Sequence, residues 1–338
     1  MMKPIRQIVP VLVMTALFPL HAGAADLKWN GFLDLTFMAV DDTVEANPSE
    51  TESKFGIAGE LDLSVALGNK VTTRFDLDLG SSKASEVDIA DIECNVDLVL
   101  EIADCTIPTS QNEDSGRFEQ AFVEWESSQG INLKGGLFNN PLSWEAEDAP
   151  NMYQISHGQL YTIWDLTTAL NGNNLLGIAV SGKTGAVTLT GAILNDLFEV
   201  PEKNSFMAMA LFKPNAQMDL KVGIITQDTA LETILDVNMT YTQGLVMLGG
   251  EIMLPSEFID MGLGVTGTYK FSEQVMGTLR FDNVSYDGDL DDTRSLTVAV
   301  GYMLEKNLAV NAELRSNTSD DDEDFDGSQV QLELVATF

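Results

Sequence analysis

The chain has 338 residues, with 18 basic and 52 acidic side chains and a formal net charge of −34. Such acidity excludes binding to nucleic acid or to anionic lipid through a basic face. A hydrophobic fraction of 44% excludes a disordered chain, which needs low apolar content beside its charge.

Lys3 and Arg6, an apolar run from Ile8 to Leu20 and the small-residue pattern Ala22-Gly23-Ala24 make the three parts of a secretory signal, with cleavage expected before Ala25. The expected division is therefore residues 1–24 as signal peptide and 25–338 as one membrane barrel, the latter carrying 16 basic and 52 acidic groups, or −36. The apolar run falls short of the roughly 18 residues of a spanning helix, and no later stretch approaches that length. In the oxidising compartment this implies, Cys94 and Cys105 are expected to close a small loop as a disulfide worth somewhat under ~3 kcal/mol in the chain-entropy model. Two free thiols are the alternative reading.

From Gly31 onward, segments of about ten residues alternate with period two, the length and pattern of a membrane-barrel strand. Leu61, Leu63, Val65 and Leu67 alternate with Glu60, Asp62 and Ser64; Val71, Thr73, Phe75, Leu77 and Leu79 alternate with Thr72, Arg74, Asp76 and Asp78. The same dyads recur in Leu231 to Tyr241 and Val275 to Phe281. Phe206 to Phe212 and Leu245 to Leu254 are apolar on both faces, which a buried sandwich strand would explain equally well.

The connections favour a barrel. Short links at Gly68-Asn69-Lys70, Ser128-Gln129-Gly130, Lys183-Thr184-Gly185, Lys213-Pro214-Asn215, Gln243-Gly244, Ser272-Glu273-Gln274 and Glu305-Lys306-Asn307 alternate with longer ones at 41–54, 81–116, 139–172, 195–203, 226–230, 254–259, 285–292 and 316–327. Outer-membrane barrels alternate short periplasmic turns and longer external loops in this way. The expected fold is an all-β, transmembrane antiparallel barrel of about sixteen strands, with fourteen as the lower count. Four of the long links (41–54, 81–116, 285–292, 316–327) hold 24 acids and two lysines, so a strongly negative outer mouth is expected. The chain closes on an alternating strand ending in Phe338, the form of a terminal signal for the outer-membrane assembly machinery.

After Ile131 to Phe138 the chain reads Gly135-Gly136-Leu137-Phe138-Asn139-Asn140-Pro141-Leu142-Ser143-Trp144-Glu145-Ala146-Glu147-Asp148-Ala149-Pro150-Asn151. Through Gly136, Phe138, Pro141, Glu145, Asp148, Ala149, Pro150 and Ser156 it resembles the OmpL-like porins of Gram-negative outer membranes, the second β-barrel porin family. Leu137 departs from that pattern, where the family usually carries a basic residue. Trimerisation is what resemblance to sixteen-stranded porins implies. A link of this length is long enough to fold into the barrel mouth. Glu145, Glu147 and Asp148 are then constriction candidates; an external loop packed on its own Tyr153, Tyr161 and Trp164 is the alternative.

Asp322, Asp324, Asp326 and Gly327, followed by Glu333, have the spacing of a calcium loop, but Glu333 falls inside the expected last strand. A weak Ca²⁺ site at Asp322, Asp324 and Asp326 and a merely solvated acidic run remain the two readings, and no other cofactor is expected. One histidine, His157, remains after the signal, and Ser156 beside it is poorly placed for a catalytic dyad, so no enzyme is expected. Pore-lining candidates are Glu60, Asp62, Asp76, Asp78, Asp236, Asp282, Glu313 and Glu333 with Arg74, Lys134, Arg280 and Arg315, to which Asp219 and Lys221 add one of each sign. Acids lead, and rings of carboxylates favour cations. The expectation is passive diffusion of small hydrophilic solutes with cation preference, in contact with outer-membrane lipid and lipopolysaccharide. The rivals are a non-conducting surface barrel acting through its acidic loops by adhesion or shielding, and a soluble periplasmic sandwich.

Overall fold

The computed structural model describes residues 26–42, 51–67, 69–78, 93–97, 102–106, 117–167, 173–195, 203–226, 233–288, 291–320 and 327–338. The expected signal peptide and Asp322, Asp324 and Asp326 lie outside the described residues.

Sixteen strands form one closed antiparallel barrel in which each pairs with its neighbour along the chain. They are β1 (Asp26–Asp42), β2 (Thr51–Ala66), β3 (Val71–Asp78), β6 (Arg117–Glu126), β7 (Ile131–Asn139), β8 (Asn174–Thr184), β9 (Val187–Asn195), β10 (Asn204–Asn215), β11 (Met218–Thr226), β12 (Thr233–Gln243), β13 (Val246–Pro255), β14 (Ile259–Lys270), β15 (Val275–Tyr286), β16 (Thr293–Glu305), β17 (Leu308–Ser319) and β18 (Gly327–Thr337). A separate hairpin of β4 (Glu93–Asp97) and β5 (Ile102–Thr106) occupies the long link between β3 and β6, and its register sets Cys94 opposite Cys105. The seam is β1 against β18, where the amides of Gly31 and Phe338 donate to one another's carbonyls at 3.2 and 3.0 Å.

Alternation sorts the side chains. Leu33, Leu235, Leu279, Leu296, Val298, Leu314 and Leu332 are exposed, while Asp34, Asp236, Arg280, Thr297, Glu313 and Gln331 are buried inside. An inverted pattern of this kind, apolar outward and polar inward, is the signature of a barrel whose solvent is lipid. Exposed Trp29, Trp125, Phe212, Tyr269, Phe271, Tyr302 and Phe338 all sit at the end carrying the short turns and both termini, as one girdle. The Trp29 and Phe338 rings meet across the seam at 6.0 Å.

Four turns differ from expectation, Gln243 ending β12 and Glu305 ending β16 in two of them. β10 runs through Lys213 and Pro214 to Asn215, so its turn falls at residues 216–217, and a register shift between Phe212 and Asn215 marks the irregularity. Proline lacks the ladder N–H, and a bulge is where a strand tolerates it. Likewise Lys183 and Thr184 belong to β8, and Gly185, at φ +60°, opens the turn.

Candidate functional site

Residues 140–167, in the link between β7 and β8, lie inside the barrel. The neck of that link is closed by Asn140, whose amide and side chain donate to Asn173 at 2.9 and 3.1 Å. A short 3-10 turn spans Ala149–Asn151, and helix α1 runs Gln159–Thr167. Leu142, Leu160, Ile163 and Trp164 are buried in one cluster with Leu175, Leu194, Met207, Ile225, Ile234, Met253 and Val284 from the inner faces of β8 to β15. The barrel thus carries a hydrophobic core within its lumen.

That core explains the two segments apolar on both faces. Met207 of β10 and Met253 of β13 point inward into that core, and Met247 of β13 is buried on the same face, while Phe206, Leu248 and Leu254 face out. A side chain at Gly249 would collide with the Trp144 ring, and one at Gly262 would press on Leu160 at 3.2 Å. Glycine at these positions makes room for the segment, so the glycine-dotted stretch of β13 and β14 is its docking surface.

Polar contacts fix the segment at two ends. On β11 to β13, the Lys221 ammonium donates to the carbonyls of Leu142 and Ser143 at 3.3 and 2.9 Å, Asn238 donates to Leu142 at 2.6 Å, and the indoles of Trp144 and Trp164 donate to Thr240 and Glu251 at 2.8 and 2.9 Å. On β15 to β17, the Glu313 carboxylate accepts from the amides of Ile155 and Ser156 at 2.7 and 3.1 Å and from the Ser156 hydroxyl. Arg280, 1% exposed, donates to the carbonyls of Ser156 and His157 at 2.6 and 3.0 Å and pairs with Asp282 at 3.0 Å; Arg315 also reaches His157 O, at 2.9 Å.

Glu145 completes this latch. It meets His157 Nδ1 at 2.7 Å, lies 3.8 Å from Arg280 and accepts from the Gly158 amide at 3.0 Å. Burial pushes its pKa up, but the His157 bond, the Arg280 charge and the Gly158 amide outweigh that and hold it below the ordinary value of 4.5. A carboxylate depressed in the folded state contributes stability fully above its unfolded pKa and loses it as pH falls through the lowered folded value. Docking of the segment is therefore expected to persist at neutral pH and to loosen only below about pH 4. Limited proteolysis of the segment across a pH series would show it; cleavage already rising between pH 7 and 6 would contradict it.

Opposite the docked segment, along β1 to β6, space remains. A cavity of about 120 Å³ is bounded by Asp34, Glu60, Asp78, Glu119, Glu147, Asp148 and Glu333 against Arg315. One of about 400 Å³ adjoins it at Glu147 and Asp148 and adds Asp62 and Arg74. Toward the short turns, a vestibule of about 780 Å³ begins at Ala149 to Tyr153 and carries Lys270 and Lys306 at its rim.

The sequence candidates accordingly divide. Glu60, Asp62, Arg74, Asp78, Arg315 and Glu333 border this space, and Asp76 stands behind it, bound to Arg74 at 2.7 Å and Gln120 at 2.5 Å. Asp236, Arg280, Asp282 and Glu313 are on the inner wall but covered by the segment. Lys134 sits 4.4 Å over the Phe122 ring and 3.6 Å from Glu124. Of the constriction candidates, Glu147 and Asp148 face both cavities, whereas Glu145 reaches the larger one and is engaged in the latch. Tyr153 and Tyr161 do pack within their own segment, stacking on Trp144 at 6.3 Å and on His157 at 3.8 Å, but inside the barrel. The Ser156 hydroxyl bonds Glu313, not His157.

Sequence reasoning missed Glu119. The register shifts between Asp76 and Leu77, so Gln120 faces Asp76, Phe118 faces Leu77, and Glu119 is the extra residue of a bulge. Bulges re-aim side chains; strict alternation would have sent Glu119 outward.

A closed sixteen-strand antiparallel barrel with an inward link and polar cavities beside it has the porin architecture. Solved structures agree on the fold. The anion-selective porin of Comamonas acidovorans aligns at TM-score 0.63 and 13% identity over 93% of this chain and all of that one. Salmonella typhi OmpF, in complex with daunomycin, aligns at 0.66 and 9% over 93% and 98%. The outer membrane channel DcaP of Acinetobacter baumannii aligns at 0.63 and 10% over 93% and 97%. The chain matches no protein-family model and no curated protein.

Proposed function

We propose that the protein is a porin of the Gram-negative outer membrane, admitting small hydrophilic solutes by passive diffusion with a preference for cations. The observation that carries this reading is the carboxylate-bordered space left between the docked segment and the β1–β6 wall. A wide barrel leaves an aqueous lumen, and carboxylates around its narrow part attract cations and repel anions. The Comamonas neighbour is anion-selective, so the fold alone does not set the sign, and the cation preference rests on the carboxylate lining.

The lipid-facing belt and aromatic girdle support membrane insertion, and the closing position of Phe338 fits recognition by the assembly machinery. Cleavage before Ala25, a Cys94–Cys105 disulfide across the β4–β5 hairpin, kinship with the OmpL-like family, a homotrimer in lipopolysaccharide-bearing membrane and Ca²⁺ at Asp322, Asp324 and Asp326 belong to the same proposal.

A second reading has its own support: the apolar core inside the lumen is what a plugged, non-conducting surface barrel would also have. Refolded protein in a planar bilayer under a KCl gradient separates the two. Stepwise currents with a reversal potential displaced toward that of K⁺ are expected, and Glu147→Gln with Asp148→Asn should reduce the displacement. Silence from folded protein would favour the plugged barrel, and anion preference would overturn the assignment of selectivity.

A further inference from the structure

Glu60 of β2, Glu119 of β6 and Asp148 of the inward segment each place a carboxylate oxygen within 4.8 Å of the other two. Two facing ligands on a Ca²⁺ ion, at 2.3–2.6 Å each, stand up to about 5 Å apart, whereas Mg²⁺ at 2.0–2.1 Å draws them closer. The donors are all oxygen, the choice of a hard cation over a transition metal.

Proximity of acids alone would be a solvated patch. Here Glu60 is 3% exposed, and its Oε1 has no hydrogen-bond partner among the described residues; Glu119 Oε1 is buried in the same condition. Buried carboxylate oxygens without a donor are costly and call for a cation or a proton. The adjoining trio of Glu60, Asp62 and Asp76 differs. There Arg74 donates to Asp76 and Asp62 at 2.7 and 3.2 Å, Gln120 donates to Asp76, and Asn30 to Asp62. Among the described residues, the Asp148 carboxylate receives Asn151 Nδ2, at 3.3 Å. The bulge in β6 is what turns Glu119 toward the pair, and the 120 Å³ cavity beside them has room for waters to complete a coordination shell.

We propose that Glu60, Glu119 and Asp148 bind one divalent cation of the Ca²⁺ class, which ties the inward segment to the wall opposite its hydrophobic dock. The site stands whether or not the barrel conducts. It is distinct from the acidic outer link, so the test uses both. Radiolabelled Ca²⁺ is equilibrated by dialysis at neutral pH with the folded full chain, with Asp148→Asn, with Glu60→Gln, and with the triple variant Asp322→Asn, Asp324→Asn, Asp326→Asn; heat-modifiable gel mobility confirms folding.

The triple variant is expected to retain one bound Ca²⁺, and adding Asp148→Asn to it should weaken that site at least tenfold. A triple variant that binds none would overturn the proposal and leave the three carboxyls sharing protons. Asp148→Asn binding as tightly as the parent would also overturn it. Asp148 lies outside the strands, so its variant decides the matter even if Glu60→Gln fails to fold. Displacement by equimolar Mg²⁺ would remove the Ca²⁺ assignment.

Discussion

Replacing Arg280 with alanine is expected to free the inward segment at its β15–β17 end. The guanidinium is 1% exposed and is shared among Asp282, Glu145 and the carbonyls of Ser156 and His157. Removing one partner of a buried ion pair costs about 3–5 kcal/mol, because the carboxylates left behind have lost their counter-charge. Among the described residues, Asp282 keeps the Ser295 hydroxyl, at 2.8 Å, and Glu145 keeps His157 and Gly158. The strand ladder of β15 is untouched, so the barrel should still form while the segment exchanges between docked and released states. Urea unfolding in lipid should show a lowered midpoint, and single-channel records should show larger, noisier currents. An unchanged midpoint with a quiet trace would mean that the apolar dock alone holds the segment.

Trp164→Ala should have an effect of similar size by a different route. The ring is fully buried at the centre of the intraluminal core, and its indole donates to Glu251 at 2.9 Å. Truncating a buried tryptophan costs about 3–5 kcal/mol through lost burial and the cavity left behind. It also strips a donor from a buried carboxylate, an added penalty. Because most of the contact is between the segment and β8–β14, the loss falls on docking rather than on closure of the ring. Protease sensitivity of the segment, with strand content unchanged by circular dichroism, is the expected signature; a loss of the barrel itself would show that segment and wall fold as one unit.

The two variants probe parts of the fold that were unequally legible in the sequence. Strand count followed from the dyads and from the alternation of link lengths, since one face of each strand meets lipid and the pattern is fixed by solvent. Pro214 misled because a short link was read into a strand that accommodates proline at an irregularity. The doubly apolar Phe206–Phe212 and Leu245–Leu254 were ambiguous because their inner partner is Leu142, Trp144 and α1, residues far away in sequence. Glu145, Glu147 and Asp148 were recognisable as one group, yet nothing local indicates that the first is tied into a latch while the other two carry no such tie to His157 and Arg280. Glu119 was hidden because a single extra residue reverses the facing of a strand.

The seam between β1 and β18 has a bearing on how the molecule can be made. Gly31 and Phe338 bond each other across nearly the whole length of the barrel chain, a contact of the kind that forms late when loop closure limits the rate. Residues 140–167 lie behind that door. An open, curling sheet lets the segment settle laterally onto the Gly249 and Gly262 notches, whereas a completed ring leaves only entry through the mouth. The order of these two steps then matters: docking of the segment is expected to precede closure of the last strand, because a ring sealed first would have to admit it end-on.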